Sequence, residues 1–530
     1  MSYIRSLGVA LTLAAVAACA QEAAAPTSPG AGADGVTADG VTADGVAADG
    51  ATADGATTDA VGHRTVNSLA DPGDGTCNAA QCTLREAIAA AGTTSIGFAP
   101  GLSGTVTLAG PAAGGGSLQI DRTLTITGPS AGVTVRRRST DQQFRLLAIG
   151  TNGKVTISRL SFRGGRTAQP GGGIINFGSL TLASGAVTGN VSAQHGGGID
   201  THGPLSLTNV TVSGNSAAGH GGGIDNHGGT LKLTTSTISD NVGGGIFGGS
   251  GTLLITGGSV SHNTRGGGVL QDWGKATLTG VTIAGNEGSG ISFHITTATI
   301  TNSVITGNSA VEGGGIGNYA GRITVAKSTI AGNTATRHGG GIFNTTGDPF
   351  GRSGAPMTIT NSTISGNAAD SGAAIANLDR LGGASVSVIN STVAFNTARV
   401  RGGGIQQADG LENPNGVLLA NALVGRNTAP TGPDVLGSFT ARFSLIGDGT
   451  GGDIANVSGN QVGRVAPNSA AIDPKIGPLA GNGGPTQTHA LLAGSPAIDA
   501  AGAADCPGKD QRGVIRPQGP ACDVGSYERQ

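Results

Sequence analysis

The sequence predicts an all-β protein, a right-handed parallel β-helix (solenoid) with a short N-terminal capping helix and an irregular C-terminal cap. Glycine supplies 99 of 530 residues and aromatic residues only 3%, a balance that suits tight turns better than helical packing. A glycine-rich motif recurs along most of the chain, and apolar residues alternate between its occurrences as they do in strands. A chain of this length needs several cores or one elongated repeat body, and the repetition favours the repeat body.

Two landmarks in fixed order define one repeat. The first is Gly-Gly-Gly-Ile or a variant, and its apolar residues are Ile174, Ile199, Ile224, Ile246, Val269, Ile291, Ile316, Ile342, Ile375 and Ile405. The second is Gly-Asn or a variant, and its asparagines are Asn190, Asn215, Asn241, Asn263, Asn286, Asn308, Asn333, Asn367, Asn396 and Asn427. Asparagines that recur at one turn should stack into an amide ladder along the axis, which gives them a structural role.

Each repeat is predicted to contain three short strands that form one coil. Leu205 and Leu207 alternate with polar residues, and Val210 and Val212 continue the pattern after a break. Propeller blades need about 40 residues or more, and leucine-rich repeats usually place a helical segment after the asparagine, where this chain has glycine, serine and alanine. A coil of about 22 residues stacked at about 4.8 Å is a parallel β-helix, and its right hand follows from the usual handedness of parallel crossovers.

The two ends of the solenoid should be capped. Residues 63–165 are predicted to form the N-terminal cap and first coils, residues 166–470 the repeats, and residues 471–530 the C-terminal cap. In the N-terminal part, Thr83 and Glu86 have the spacing of a capping box. Leu84, Ala87, Ile88 and Ala91 form one helical stripe that could plug the first coil.

Residues 1–19 have the pattern of an export signal, because the basic Arg5 precedes an apolar stretch that is too short to span a bilayer. The stretch ends Val-Ala-Ala-Cys19, which resembles the lipobox of bacterial lipoproteins, and Ala20 favours the outer membrane by the same resemblance. An ordinary signal peptide is the alternative. Residues 20–62 form a predicted flexible tether with an aspartate every five residues from Asp34 to Asp59, and calcium binding is a remote alternative for it.

Four cysteines remain after Cys19, and they form two local pairs. Cys77 lies near Cys82, and Cys506 lies near Cys522. An even number in an exported chain predicts two disulfides. Zinc ligation is the alternative, although neither pair has the short C-x-x-C spacing.

Two segments resemble a known family. Cys77–Cys82 followed by Thr-Leu-Arg-Glu-Ala-Ile resembles the Cys-Ser-Leu-Arg-Glu-Ala segment that opens many bacterial β-helix surface proteins. Near the C-terminus, Asn-Gly-Gly-Pro-Thr486, Gly-Ser-Pro-Ala-Ile-Asp499, Asp510-Gln-Arg-Gly and Asp-Val-Gly-Ser-Tyr-Glu528 resemble the choice-of-anchor Q domain. The resemblance implies an exported right-handed β-helix and supplies no enzymatic activity. The charged residues of the terminal segment are therefore expected to form structural ion pairs and turn contacts.

Two neighbouring repeats carry the candidate chemistry, because His195-Gly-Gly-Gly-Ile-Asp200-Thr-His202 is nearly repeated from His220 to His227. If the isoleucines point inward, Asp200, His202, Asp225 and His227 point outward on one sheet, with the two carboxylates about 5 Å apart, as in retaining glycosidases. The same grid could bind a divalent metal, with imidazole favouring zinc or copper. A duplicated, exposed polar pattern without function is the favoured alternative, so no metal site and no cofactor is predicted.

The predicted function is that of a surface protein anchored to the cell envelope, a display, adhesion or glycan-binding scaffold without catalytic activity. Its predicted partners are polysaccharide or extracellular matrix, and its membrane contact is through the lipid anchor only. A polysaccharide lyase or glycosidase using the Asp/His grid is the alternative, weakened because Trp273 is the only tryptophan. The net charge of -2 argues against nucleic acid, and a solvated strand face accounts for Arg136, Arg137 and Arg138.

Longer separations between the late repeats locate three insertions. They lie at about 345–356, 378–384 and 408–416. Extra residues in a solenoid emerge as loops on its side, where binding surfaces often lie. The last coils are therefore the predicted recognition face.

Overall fold

The computed structural model describes residues 62–140, 142–346, 354–378, 383–407, 416–464 and 469–530. The predicted leader with Cys19, and nearly all of the tether, lie outside these residues, as do most residues of the three insertions. In each insertion, the described strands on either side belong to the same two sheets. The described residues that flank the three insertions therefore lie at one edge of the solenoid. Within the described part of the chain, no helix has the length and apolar character needed to cross a bilayer.

The body of the protein is a stack of about 13 coils, each contributing parallel strands to three long sheets. Sheet 1 contains the strands that follow the glycine motifs. Its strands are Leu118–Ile120, Leu147–Ile149, Ile174–Asn176, Ile199–Thr201, Ile224–Asn226, Ile246–Gly248, Val269–Gln271, Ile291–His294, Ile316–Tyr319, Ile342–Thr345, Ile375–Leu378 and Ile405–Gln407.

Sheet 2 follows sheet 1 within each coil, and its last strands lie at the C-terminal end of the stack. Its strands are His63–Val66, Ser95–Phe98, Thr123–Thr127, Lys154–Ser158, Ser179–Ala183, Leu205–Thr208, Thr230–Thr234, Gly251–Thr256, Gly274–Thr279, Thr296–Thr301, Arg322–Ala326, Ala355–Thr360, Ala384–Ile389, Val417–Ala420, Val435–Arg442 and Gly452–Ser458. The strand Val435–Arg442 also pairs with sheet 1 and so joins the two sheets.

Sheet 3 completes the coil. Its strands are Gly104–Leu108, Val133–Arg137, Leu160–Arg163, Ala186–Thr188, Thr211–Ser213, Thr237–Ser239, Ser259–Ser261, Thr282–Ala284, Val304–Thr306, Thr329–Ala331, Thr363–Ser365, Thr392–Ala394, Leu423–Gly425, Leu445–Ile446 and Gln461–Val462. Short strands between sheets 3 and 1 form two small sheets. They are Arg166–Thr167, Val191–Ser192 and Ser216–Ala217, and Ser309–Glu312, Thr334–His338, Ala368–Ser371 and Thr397–Arg401.

The fold class predicted from the sequence is confirmed, down to the register of the coils. Ile174 pairs with Ile199, and the same match continues through every marked apolar residue to Ile405. These side chains are buried, as are Leu205 and Val212 from the other two sheets. Burial of such residues in every coil supplies the main stabilisation, since each coil covers the apolar face of its neighbours.

The repeated asparagines form a buried ladder between sheet 3 and the next coil. At each step the backbone N–H and Nδ2 of one asparagine both donate to Oδ1 of the asparagine one coil further on. Asn241, for example, donates to Asn263 at 3.1 and 2.9 Å. Asn263 also donates Nδ2 to the Ile238 carbonyl at 3.1 Å. This asparagine ladder runs from Asn190 to Asn427.

Asp434 ends the asparagine ladder. Asn427 donates its backbone N–H and Nδ2 to Asp434 Oδ1 at 3.0 and 2.8 Å, and Asp448 donates its N–H to Oδ2 at 2.7 Å. Burial raises the pKa of the Asp434 carboxyl to about 6, although the hydrogen bonds from Asn427 act in the opposite direction.

The raised pKa of Asp434 predicts that stability falls as the pH rises from about 4 to about 6. In this window the folded state holds a proton that the unfolded carboxyl, with a pKa of 3.8, has lost. The free energy of unfolding should fall by up to about 3 kcal/mol and stay low above the window. Urea unfolding between pH 4 and 7 measures this change. The Asp434→Asn variant should lack it, whereas Asp453→Asn, at an exposed position, should keep it; an unchanged slope in Asp434→Asn would refute the assignment.

The predicted capping helix is present as Leu84–Ala89 and ends two residues before the last residue of its apolar stripe. Thr83 is its N-cap, and Thr83 and Glu86 form the predicted capping box. Leu84, Ala87 and Ile88 are buried, but Ala91 lies beyond the helix end and is exposed. Single turns of 3-10 helix occur at Pro111–Ala113 and Ala503–Asp505.

The C-terminal segment, residues 472–530, lies along the outer face of sheet 3 over the last coils. It contains an antiparallel pair, Ile476–Ala480 with Thr488–Leu491, and little other regular structure. Gln511 accepts a hydrogen bond from Thr363 at 2.7 Å, and Ser526 Oγ bonds to Thr392 at 3.0 Å. The irregular cap is thus confirmed, and it covers the side of the stack.

Both predicted disulfides are present. Cys77 is bonded to Cys82 beside the capping helix, and Cys506 is bonded to Cys522 within the C-terminal segment. The zinc alternative for these cysteines is therefore excluded.

Candidate functional site

The duplicated motif places two carboxylates in register on sheet 1. Asp200 pairs with Asp225 across adjacent coils, between the inward-facing residues Ile199 and Thr201 of the first strand. Alternation along the strand directs both carboxylates to the outside of the coil. Both are nevertheless fully buried, with 0% exposure. The sequence predicts exposed carboxylates at these two positions, whereas the structure shows that both are buried.

Glycines that precede the strands help to bury the carboxylates. Gly196 and Gly221 adopt positive φ angles of 59° and 62°. A Cβ added to Gly196 would lie 2.6 Å from the Cβ of Asp200, and one added to Gly221 would lie 2.7 Å from the Cβ of Asp225. Only glycine allows the chain to fold this closely over the aspartates.

Histidine side chains cover the rest of the two carboxylates. His220 Nδ1 lies 2.8 Å from Asp225 Oδ2, and His195 Nδ1 lies 4.0 Å from the same oxygen. Near Asp200, the Nε2 atoms of His202 and His227 lie 3.2 and 3.1 Å from Oδ1 and Oδ2. We call Asp200, Asp225 and these four histidines the His/Asp cluster.

The imidazoles of the His/Asp cluster stack in two columns along the solenoid axis. His195 stacks on His220 with ring centroids 4.0 Å apart, and His202 stacks on His227 at 4.3 Å. Phe177 extends the second column, and Phe247 extends the first. The histidine side chains are 34–42% exposed, so solvent reaches the imidazoles but not the carboxylates.

The histidines differ in their electrostatic surroundings. The hydrogen bond with Asp200 raises the pKa of His227. Burial lowers the pKa of His195, and the neighbouring His220 lowers it further. Burial likewise lowers the pKa of Arg145, whose charge interacts favourably with Asp200.

The structure brings all four predicted site residues together and adds two. Asp200, His202, Asp225 and His227 lie in one cluster, as their spacing predicts. His195 and His220 were missing from the predicted set, although each stands five residues before an aspartate in the duplicated motif. That position is the signal that could have identified them. The position of the carboxylates does not suit a glycosidase, because a carboxylate without exposed surface cannot contact a sugar.

A second candidate site lies on sheet 3 near the N-terminal end. Arg136, Arg137, Arg163 and Arg166 line a cleft of about 560 Å³, which we call the arginine cleft. Arg136 and Arg163 are register partners in adjacent coils. Arg136 donates Nε to Thr107 Oγ1 at 3.1 Å.

Among the described residues, no carboxylate forms a salt bridge with Arg136, Arg163 or Arg166, and all three are exposed. Like charges directly opposite in neighbouring strands repel each other. Sequence reasoning assigned Arg136, Arg137 and Arg138 to a solvated face and gave no role to Arg163 or Arg166, because these coils precede the marked repeats. The sequence alone did not show that Arg136 and Arg163 are register partners in adjacent strands.

A comparison with family models agrees with the coil architecture. Residues 197–351 and 246–414 match the family model described as right handed beta helix region. The fold is a right-handed parallel β-helix. One solved structure that matches is titled "Crystal structure of pectate lyase Pel9A"; it is 13% identical, with 88% of this chain and 96% of that chain covered and a TM-score of 0.29. The search of curated proteins found no match.

Proposed function

We propose that this protein is a cell-envelope scaffold that binds an acidic polysaccharide through the arginine cleft and does not cleave it. The observation that carries the proposal is the convergence of four arginines on one cleft in a chain whose net charge is -2. Three of these arginines have no acidic partner among the described residues. A bound polyanion would relieve their mutual repulsion.

The chemistry of the arginine cleft suits carboxylate or sulfate groups on a polymer. Guanidinium groups present paired N–H donors that match carboxylate geometry. Arg136 and Arg163 occupy adjacent coils, spaced at about 4.8 Å, so these two positive charges are aligned along the solenoid axis. An extended anionic chain can contact such a row at several points, which adds affinity.

Export and anchoring are part of the proposal. We expect acylation of Cys19 to attach the protein to the outer membrane as a lipoprotein, at the cell surface or on the periplasmic face, with the tether holding the β-helix away from the lipid. The two disulfides support an oxidising compartment. The resemblance to β-helix surface proteins with a choice-of-anchor Q domain supports a display or adhesion role, for which extracellular matrix is a further partner class.

The alternative, a lyase or glycosidase at the Asp/His grid, receives no support from the site geometry. Asp200 and Asp225 are fully buried beneath imidazoles, so neither can act directly on a glycosidic bond. The arginine cleft and the His/Asp cluster also lie on different sheets.

Binding to polygalacturonate, alginate and neutral dextran tests the proposal. We expect the acidic polymers to bind and dextran not to bind, with no release of unsaturated or reducing-end products. The Arg136→Ala/Arg163→Ala/Arg166→Ala variant should bind at least tenfold more weakly and show a smaller salt dependence. Biolayer interferometry at several salt concentrations measures both quantities.

A matched control removes three exposed cations from sheet 2. Lys232→Ala/Lys275→Ala/Arg322→Ala changes the net charge by the same amount and should retain wild-type affinity. Equal loss in both triple variants would show a nonspecific charge effect and overturn the cleft assignment. Product release by the wild-type protein would overturn the non-catalytic role.

A further inference from the structure

We propose that the His/Asp cluster binds two divalent transition-metal ions of the zinc class. His195, His220 and Asp225 form one ligand set, and Asp200, His202 and His227 form the second. Within each set the candidate ligand atoms all lie within 4.8 Å of one another. Each set takes its ligands from both of the adjacent coils that carry the duplicated motif.

The Asp225 carboxylate is buried without a hydrogen-bond donor among the described residues. Its side chain is fully buried, yet neither oxygen accepts a hydrogen bond from the described residues, and the same holds for Asp200 Oδ1. A buried charged oxygen without a hydrogen bond destabilises the folded state. His220 Nδ1, 2.8 Å from Asp225 Oδ2, also lacks a hydrogen bond within the described part of the chain. A cation between these atoms would satisfy both.

The positively charged side chains of the protein compensate the charge of the Asp200 and Asp225 carboxylates only in part. Arg145 interacts electrostatically with Asp200, but its Nη2 donates to the Pro170 carbonyl at 3.0 Å. Among the described residues, no arginine or lysine forms a salt bridge with Asp200 or Asp225. The imidazoles stack with centroid separations of 4.0 and 4.3 Å, which brings several nitrogen ligands to the same two carboxylates. A metal ion in each set would supply the missing positive charge.

The ligand types select the metal class. Imidazole nitrogens together with one carboxylate favour zinc and related transition metals over calcium or magnesium, which prefer oxygen ligands. Three protein ligands in each set leave one coordination position open to solvent, on the side where the histidines are exposed. Asp225 Oδ1 lies 3.7 Å from His227 Nε2, so this carboxylate lies between the two sets. The proposal is independent of glycan binding, since it uses none of the arginines in the cleft.

Zinc retention by the full-length protein tests the assignment. Protein stripped with EDTA is loaded with Zn²⁺, desalted and measured by elemental analysis, in parallel with isothermal titration using Zn²⁺ and Ca²⁺. We expect about two zinc ions per chain and no comparable response to Ca²⁺. His195→Gln/His220→Gln and His202→Gln/His227→Gln should each retain about one ion. Circular dichroism in EDTA verifies that the variants fold.

His294→Gln is the matched control. His294 Nδ1 lies 3.0 Å from Asp272 Oδ1 on the same sheet, but it belongs to neither three-residue set, so zinc retention should be unchanged. Wild-type protein that retains no zinc, or double variants that retain as much as the wild type, would overturn the proposal. A wild-type protein that retains only one ion, with no ion retained by either double variant, would overturn the two-site assignment.

Discussion

Replacing Asn263 by alanine is expected to lower the free energy of unfolding by about 3–5 kcal/mol, because it interrupts the buried asparagine ladder at its middle. The Asn263 side chain accepts two hydrogen bonds from Asn241 and donates to Ile238 and Asn286. Alanine removes all four. The partners are buried, so water cannot replace what is lost.

The loss of the Asn263 hydrogen bonds should also reduce the cooperativity of the whole stack. Each coil contacts only its neighbours, so a weakened interface between two coils divides the solenoid into two less cooperative parts. Equilibrium unfolding in urea should therefore show a lower midpoint and a broader transition. Hydrogen exchange should become faster in the coils that contain Asn241 and Asn286.

Ser261→Ala provides the control for the ladder. Ser261 lies two residues before Asn263 on the same coil, and its side chain is only half-buried. We expect its effect to stay within about 0.5 kcal/mol. Equal effects of the two substitutions would show that the ladder adds nothing specific to stability.

The fold was predictable because its local signals repeat. Gly-Gly-Gly-Ile and Gly-Asn, or variants of them, recur in every marked coil, so many weak indications of strand and turn predict the same register. The end of the ladder was not predictable. Asp434 follows Asn427 by only seven residues and has no repeat signature; its role depends on how the last coil closes.

The candidate site was predictable in part. Strand alternation and the duplicated motif were sufficient to place Asp200 beside Asp225. Burial of the carboxylates was not predictable, since it depends on Gly196 folding over the strand and on imidazoles reaching back from both ends of the motif. The arginine cleft was missed for another reason. Arg136 and Arg163 meet only through strand pairing in coils that lack the motif.

The position of the C-terminal segment also required the structure. Its composition indicates an irregular cap but does not say which surface it covers. The segment is bound by outward-facing polar residues of sheet 3. Thr363 and Thr392 are among them, and they form hydrogen bonds with Gln511 and Ser526. Threonines on a strand face are ordinary in any sheet, so they carry no docking signal by themselves.

Replacing Asp510 by alanine is expected to release this segment from sheet 3, at a cost of about 3–5 kcal/mol. Asp510 is fully buried and accepts hydrogen bonds from the backbone N–H groups of Arg512, Val514 and Glu528. It also pairs with the Arg512 side chain at 2.8 Å. The substitution would leave that guanidinium, which is only 4% exposed, without its carboxylate partner.

The expected result is local unfolding rather than loss of the solenoid. The coils keep their own ladder and apolar core, whereas the segment has few regular backbone hydrogen bonds and depends on its ion pairs. Limited proteolysis and hydrogen exchange should therefore show faster cleavage and exchange in residues 476–530, with the asparagine ladder still protected. Lys509→Ala, at the adjacent exposed position, should behave like the wild type. Unchanged protection in Asp510→Ala would mean that the contacts with Thr363 and Thr392 hold the segment without the ion pair.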